Sequence, residues 1–150
     1  MIWTMPRRGL ASLIVLTSVA CAGDAKVAEQ GRKIFSGEAP LVARVKGHDA
    51  ALPSLASRCN NCYAASPAPW PTAGTRPPTA YGPELTREHL VNAHSRRGGP
   101  ASVYDEAALC RLLRNGVDPA YVVVAIGMPR YELTDADCRA LWIYLSRRST

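Results

Sequence analysis

Apolar positions recur at helical spacing in three stretches of this chain. Val27, Ala28, Ile34 and Phe35 form one stripe, which Asp24 opens as an N-cap and Gly37 closes after Ser36. Gly31 on the same segment would let a second helix approach closely. Leu109, Leu112 and Leu113 form the second stripe, capped by Asp105 and closed by Asn115-Gly116. Cys138, Leu141, Trp142 and Leu145 form the third, with Thr134 and Asp137 as a capping box and Arg147-Arg148 suited to the C-terminal dipole. A short helix after Thr86 ends before Gly98-Gly99, which reads as a turn. Elsewhere the pattern breaks. Residues from Glu38 to Ser57 are weakly patterned. Ala64 to Pro83 carries Pro67, Pro69, Pro71, Pro77, Pro78 and Pro83, which excludes a helix or a central strand and predicts a long stiff loop. Tyr121 to Ile126 is β-branched and reads either as extended or as a buried segment. With no repeat and no hairpin signal, the expected class is all-α, a small helical domain with long loops.

The first residues follow a different pattern. Arg7 and Arg8 precede an apolar run from Leu10 to Ala20, and small residues follow. That is the layout of an export leader, and the run is too short for a mature membrane span. The expected division is a signal peptide over residues 1–22 and one domain over 23–150. Ser18-Val19-Ala20-Cys21 also resembles a lipoprotein box, so Cys21 is either removed with the leader or lipidated. The expected location is periplasmic, with or without that anchor.

The formal net charge of the whole chain is +6, and it falls to +4 once Arg7 and Arg8 are gone. This is too mild and too scattered for nucleic acid. It suits docking to a partner that is acidic at the contact, where charge raises the on-rate more than the affinity. Four cysteines remain beyond the leader: Cys59, Cys62, Cys110 and Cys138. In an oxidising compartment they suit two thioethers plus one disulfide, or two disulfides. Cys110 and Cys138 lie on two of the expected helices and are expected to pair.

Arg58-Cys59-Asn60-Asn61-Cys62-Tyr63 concentrates the candidate chemistry. Cys-x-x-Cys-His attaches c-type haem, the thiols bonding the porphyrin and the His ligating iron. Here Cys59 and Cys62 have the spacing, and Tyr63 stands at the ligand position. Three states are open. Haem could be attached with Tyr63 phenolate on the iron, or bound with His48, His89 or His94 taking that position. The site could also be empty, with Cys59 and Cys62 in a disulfide. Met128-Pro129-Arg130-Tyr131 offers a thioether, a soft axial ligand that raises the potential, on a loop stiffened by Pro129. The bland alternative for Met128 is a core gap-filler.

Taken in order, several segments resemble the class I (monohaem) cytochromes c. These are Gln30 to Phe35, Cys59-x-x-Cys62, Tyr104 to Leu109 through Arg114 to Pro119, and Met128 to Asp137 with Ala140 to Leu145. The resemblance implies a cytochrome c fold with haem c tethered by Cys59 and Cys62. Met128 and Tyr63 would be the iron ligands, and the protein a periplasmic electron carrier with a redox partner. A second reading is a degenerate cytochrome domain without haem, kept as a binding or assembly partner of a redox complex. A third is a high-spin haem protein with peroxidase-like or sensing behaviour. Catalysis otherwise has no support, since no nucleophile elbow, carboxylate pair or phosphate loop stands out.

Overall fold

Gly31 is where two helices meet. A Cβ on it would lie 2.0 Å from the Ala140 carbonyl oxygen and 2.8 Å from the Tyr144 Cβ, so only hydrogen fits between the backbones. The chain is described by a computed structural model over residues 17–63 and 85–148, with side chains from residue 23 onward. The elements are α1 (Thr17–Ser36), β1 (Ala43–Arg44), a 3₁₀ turn (Cys59–Asn61), α2 (Arg87–Val91), β2 (His94–Ser95), β3 (Ala101–Ser102), α3 (Glu106–Asn115), β4 (Arg130–Tyr131) and α4 (Asp135–Leu145). The proline-rich segment and Arg7, Arg8 and Leu10 of the expected leader lie outside the described residues.

Helix α1 crosses α4 at Gly31, and the contact continues through Phe35 and Tyr144, whose ring centroids lie 5.6 Å apart. The helix starts earlier than the Asp24 cap predicts. An alanine-rich run from Thr17 holds no strong breaker, so the helix continues through Asp24. The Asp24 carboxylate instead accepts from Arg147 at 3.0 Å. Gly37, at φ 78°, turns the chain out of the helix where expected.

Two other helices match their sequence signals. The Asp105 side chain accepts from Ala108 N–H at 2.7 Å, and Gly116 closes α3 at φ 71°. Thr134 and Asp137 form the reciprocal box that opens α4. A disulfide joins Cys110 to Cys138, with Cα atoms 5.3 Å apart, and fastens α3 to α4. Ile34, Leu90, Leu109 and Leu141 are buried in the core between these helices.

The all-α expectation is corrected. Among the described residues four short strands form two antiparallel sheets, so the fold is mixed. Strand β1, from the weakly patterned segment, pairs with β4, with Ala43 opposite Tyr131. Strands β2 and β3 form a hairpin that the sequence did not reveal. Its turn is closed by Gly99 N–H donating to the Arg96 carbonyl at 2.8 Å, with Arg97 (φ 49°) and Gly98 (φ 76°) both left-handed. Strands this short carry no readable period-two pattern. Strands β1 and β4 each bury one residue, Ala43 and Tyr131, whose backbone groups need hydrogen-bond partners, whereas β2 and β3 lie at the surface.

Tyr121 to Ile126 is neither strand nor buried. Val124 alone is inside, while Tyr121, Val123 and Ile126 face solvent. The fully buried Asp118 carboxylate organises this loop, accepting from Val122 N–H at 2.8 Å and from Arg97 at 3.1 Å. Among the described residues no helix is long and apolar enough to cross a membrane.

Candidate functional site

The Cys59–Asn61 turn forms because Cys59 accepts twice. Its carbonyl takes the N–H of Cys62 and of Tyr63, each at 3.1 Å. Asn61 ties the turn back to the Leu55 carbonyl at 2.7 Å, and Arg58 lies across Gly37, where a Cβ would meet its Cγ at 2.3 Å. The facing wall is the loop from Ala125 to Tyr131. Met128 N–H donates to the Ala125 carbonyl at 3.1 Å, and Arg130 donates to the Met128 carbonyl while packing on Gly116. The β1–β4 pairing then fixes Tyr131 at the floor.

Between these walls lies a cleft of about 270 Å³. Beneath it is an apolar cavity of about 40 Å³ that reaches Phe35, Leu90 and Leu141. Cys59, Tyr63, Met128 and Tyr131 line both. Cys62 and Arg58 line only the outer cleft, and Arg97 and Tyr104 only the inner cavity.

Two phenols face two sulfurs here. Tyr63 Oη donates to Met128 Sδ at 3.5 Å, and the Tyr131 hydroxyl hydrogen-bonds the Cys59 thiol. Burial pushes the Cys59 thiol up to about 11 and the Tyr63 phenol up to about 12, and it raises Tyr131 and Tyr104 as well. These groups are therefore neutral at physiological pH. Arg58 is the charged side chain of the outer cleft, and its Nε is buried with no hydrogen-bond partner among the described residues.

The four residues singled out from sequence, Cys59, Cys62, Tyr63 and Met128, are thus brought to one cleft. His48, His89 and His94 line neither cavity, and the last two stack on each other with centroids 5.3 Å apart. Tyr131, Arg58 and Arg97 were missed. The Met-Pro-x-Tyr motif carried a signal for Tyr131, and Arg58 stood beside the Cys-x-x-Cys motif, whereas no sequence pattern pointed to Arg97.

No protein-family model, no curated protein and no solved structure matches this chain. The resemblance to class I cytochromes c is therefore corrected, and the mixed fold departs from the all-α one it implied. The described residues hold no group of three or more His, Cys, Asp or Glu side chains able to hold a metal ion. Cys110 and Cys138 form a disulfide, and Cys59 and Cys62 are both free thiols. Nor do the site residues fit haem. Tyr63 and Met128, the two expected iron ligands, bond each other, and Tyr63 is held far from phenolate. The haem c assignment is withdrawn with the electron-carrier role. The haem-free cytochrome reading falls with the family resemblance.

Proposed function

We propose that this chain is an exported binding domain for a small apolar ligand bearing an acidic group. The observation that carries this reading is the outer cleft, largely apolar and opened by Met128 and Pro129 on one side and Cys62 and Tyr63 on the other. At about 270 Å³ it lies just under the usual range of about 300–1,000 Å³ for drug-sized ligands, which favours a small occupant. Arg58 lines the cleft and gives that occupant a cation. Pairing its guanidinium with an anion would form hydrogen bonds of the charge-assisted kind. The disulfide between Cys110 and Cys138 supports export to an oxidising compartment such as the periplasm.

Two fluorescent naphthalenes test this: anionic 1-anilinonaphthalene-8-sulfonate and neutral N-phenyl-1-naphthylamine. Both should bind saturably to the folded protein. Ala125→Trp, at an exposed lining position, should weaken both at least tenfold by filling the cleft. Arg58→Gln should weaken only the anionic probe. Unchanged binding of both probes to Ala125→Trp would place them elsewhere and end this reading.

A further inference from the structure

Beyond ligand binding, we propose that Cys59 and Cys62 form a thiol–disulfide exchange site, with Cys62 attacking and Cys59 resolving. Cys62 N–H donates to the Cys59 carbonyl at 3.1 Å, closing an i to i+3 turn. Such a turn holds its end Cα atoms within about 7 Å, which overlaps the span a disulfide bridges. The two thiols differ in access. Cys62 is half-buried and lines only the outer cleft, whereas Cys59 is 7 % exposed and also reaches the inner cavity. An incoming disulfide therefore meets Cys62 first. Burial keeps the Cys59 thiol protonated, so it resolves rather than attacks. The cysteine pair at 110 and 138 is already oxidised and joins α3 to α4, which leaves these two thiols as the reducing pair.

The electrons balance as follows. Cys62 loses its proton and its sulfur attacks one sulfur of an external disulfide. That S–S bond breaks, a mixed disulfide forms on Cys62, and the first external thiolate leaves and takes up a proton. Cys59 then loses its proton and attacks Cys62 Sγ, and the mixed disulfide breaks to release the second external thiol. Two electrons and two protons pass from the pair to the external disulfide. The substrate is a low-molecular-weight disulfide, because a concave cleft with a half-buried attacking sulfur admits a small molecule more readily than a folded protein's surface.

Oxidised glutathione is the probe. Protein reduced only at Cys59 and Cys62 is mixed with it, quenched by alkylation and weighed. Wild type should lose both thiols without gaining glutathione. Cys59→Ser should trap one glutathione on Cys62, and Cys62→Ser should react at least tenfold more slowly. Far-UV circular dichroism checks both variants. If Cys59→Ser fails to fold, native alkylation of wild type supplies the order, with Cys62 labelled at least tenfold faster than Cys59. Equal reactivity of the two thiols would overturn the assignment. So would thiols that stay reduced in excess oxidised glutathione, or a bond that reduced glutathione cannot reopen. Faster reaction with folded insulin than with glutathione would overturn the choice of substrate.

Discussion

The Tyr63 hydroxyl donates to the Met128 sulfur at 3.5 Å, joining residues 65 positions apart across the mouth of an apolar cavity. The pair lines both the inner cavity and the outer cleft and ties the cysteine turn to the Met-Pro loop. A thioether is a weak acceptor, so Tyr63→Phe should cost at most about 1 kcal/mol. Met128→Leu nearly conserves volume and should cost less than about 1.5 kcal/mol. A double-mutant cycle by urea denaturation should give coupling of about 0.5 kcal/mol or more between them. Additive losses would mean that the contact contributes nothing to stability.

Alkali should unfold this protein through its buried thiol. The Cys59 value rises from an ordinary 9.0 to about 11 on folding, and that of Tyr63 from 10.0 to about 12. A group raised in this way supports the fold fully below its unfolded value and loses that support as pH climbs through the folded one. The window is therefore pH 9 to 12. For Cys59, nearly fully buried, the loss is roughly 2–3 kcal/mol. Urea midpoints should fall across that window in wild type and fall less in Cys59→Ala. Parallel curves for the two proteins would assign the alkaline loss to other groups.

Gly31 and Gly23 sit on the same helix and should respond in opposite directions. A Cβ at Gly31 meets the Ala140 carbonyl, whereas one at Gly23 meets nothing within 4 Å. Gly31→Ala should destabilise by about 1–3 kcal/mol or more by forcing α1 off α4. Gly23→Ala should stabilise by up to about 1 kcal/mol through helix propensity. Thermal melts of the two variants decide this, and a stable Gly31→Ala would mean that the helices cross elsewhere.

What could be read from sequence was local. Asp105 with Gly116, and Thr134 with Asp137, announce α3 and α4 because capping depends on residues a few positions apart. Cys59, Cys62 and Met128 stood out because their side chains have distinctive chemistry. The rest needed the third dimension. Arg96 looks like one solvated cation in an Arg-Arg-Gly-Gly turn, yet it is buried over the Tyr104 ring and donates to the carbonyls of His89, His94 and Ser102. Asp24 has the chemistry of a cap, but the alanine-rich run before it carries the helix past it. The spacing of Cys59, Cys62 and Met128 suggests a haem centre, but no local pattern shows that Tyr63 and Met128 bond each other across the cleft.

Removing the disulfide should cost more than any of these substitutions. Cys110 and Cys138 close a loop of 28 positions, which corresponds to roughly 3–4 kcal/mol in the chain-entropy model. The paired variant Cys110→Ala/Cys138→Ala should show that loss in urea. Alkylation of unreduced, denatured wild type should modify Cys59 and Cys62 and spare this pair. Modification of all four would mean that the bond does not form.

Asp118 provides the last test, because it is fully buried and serves two partners from different segments. One carboxylate oxygen accepts from Val122 N–H at 2.8 Å and the other from Arg97 at 3.1 Å. Through them it joins the hairpin turn to the loop after α3, beside the inner cavity that Arg97 lines. Asp118→Ala leaves the half-buried Val122 N–H without an acceptor and a guanidinium without its counter-ion. Arg97 is a third exposed and regains part of its solvation, so the loss should be about 2–4 kcal/mol rather than the larger figure for a sealed pair. Asp118→Asn keeps an acceptor for Val122 and should lose less. Hydrogen exchange distinguishes a local from a global effect. In Asp118→Ala the Val122 amide should lose protection, while amides in the middle of α3 and α4 should change only by the global stability loss. Unchanged protection at Val122 would mean that the loop is held by its own backbone bonds and not by this carboxylate.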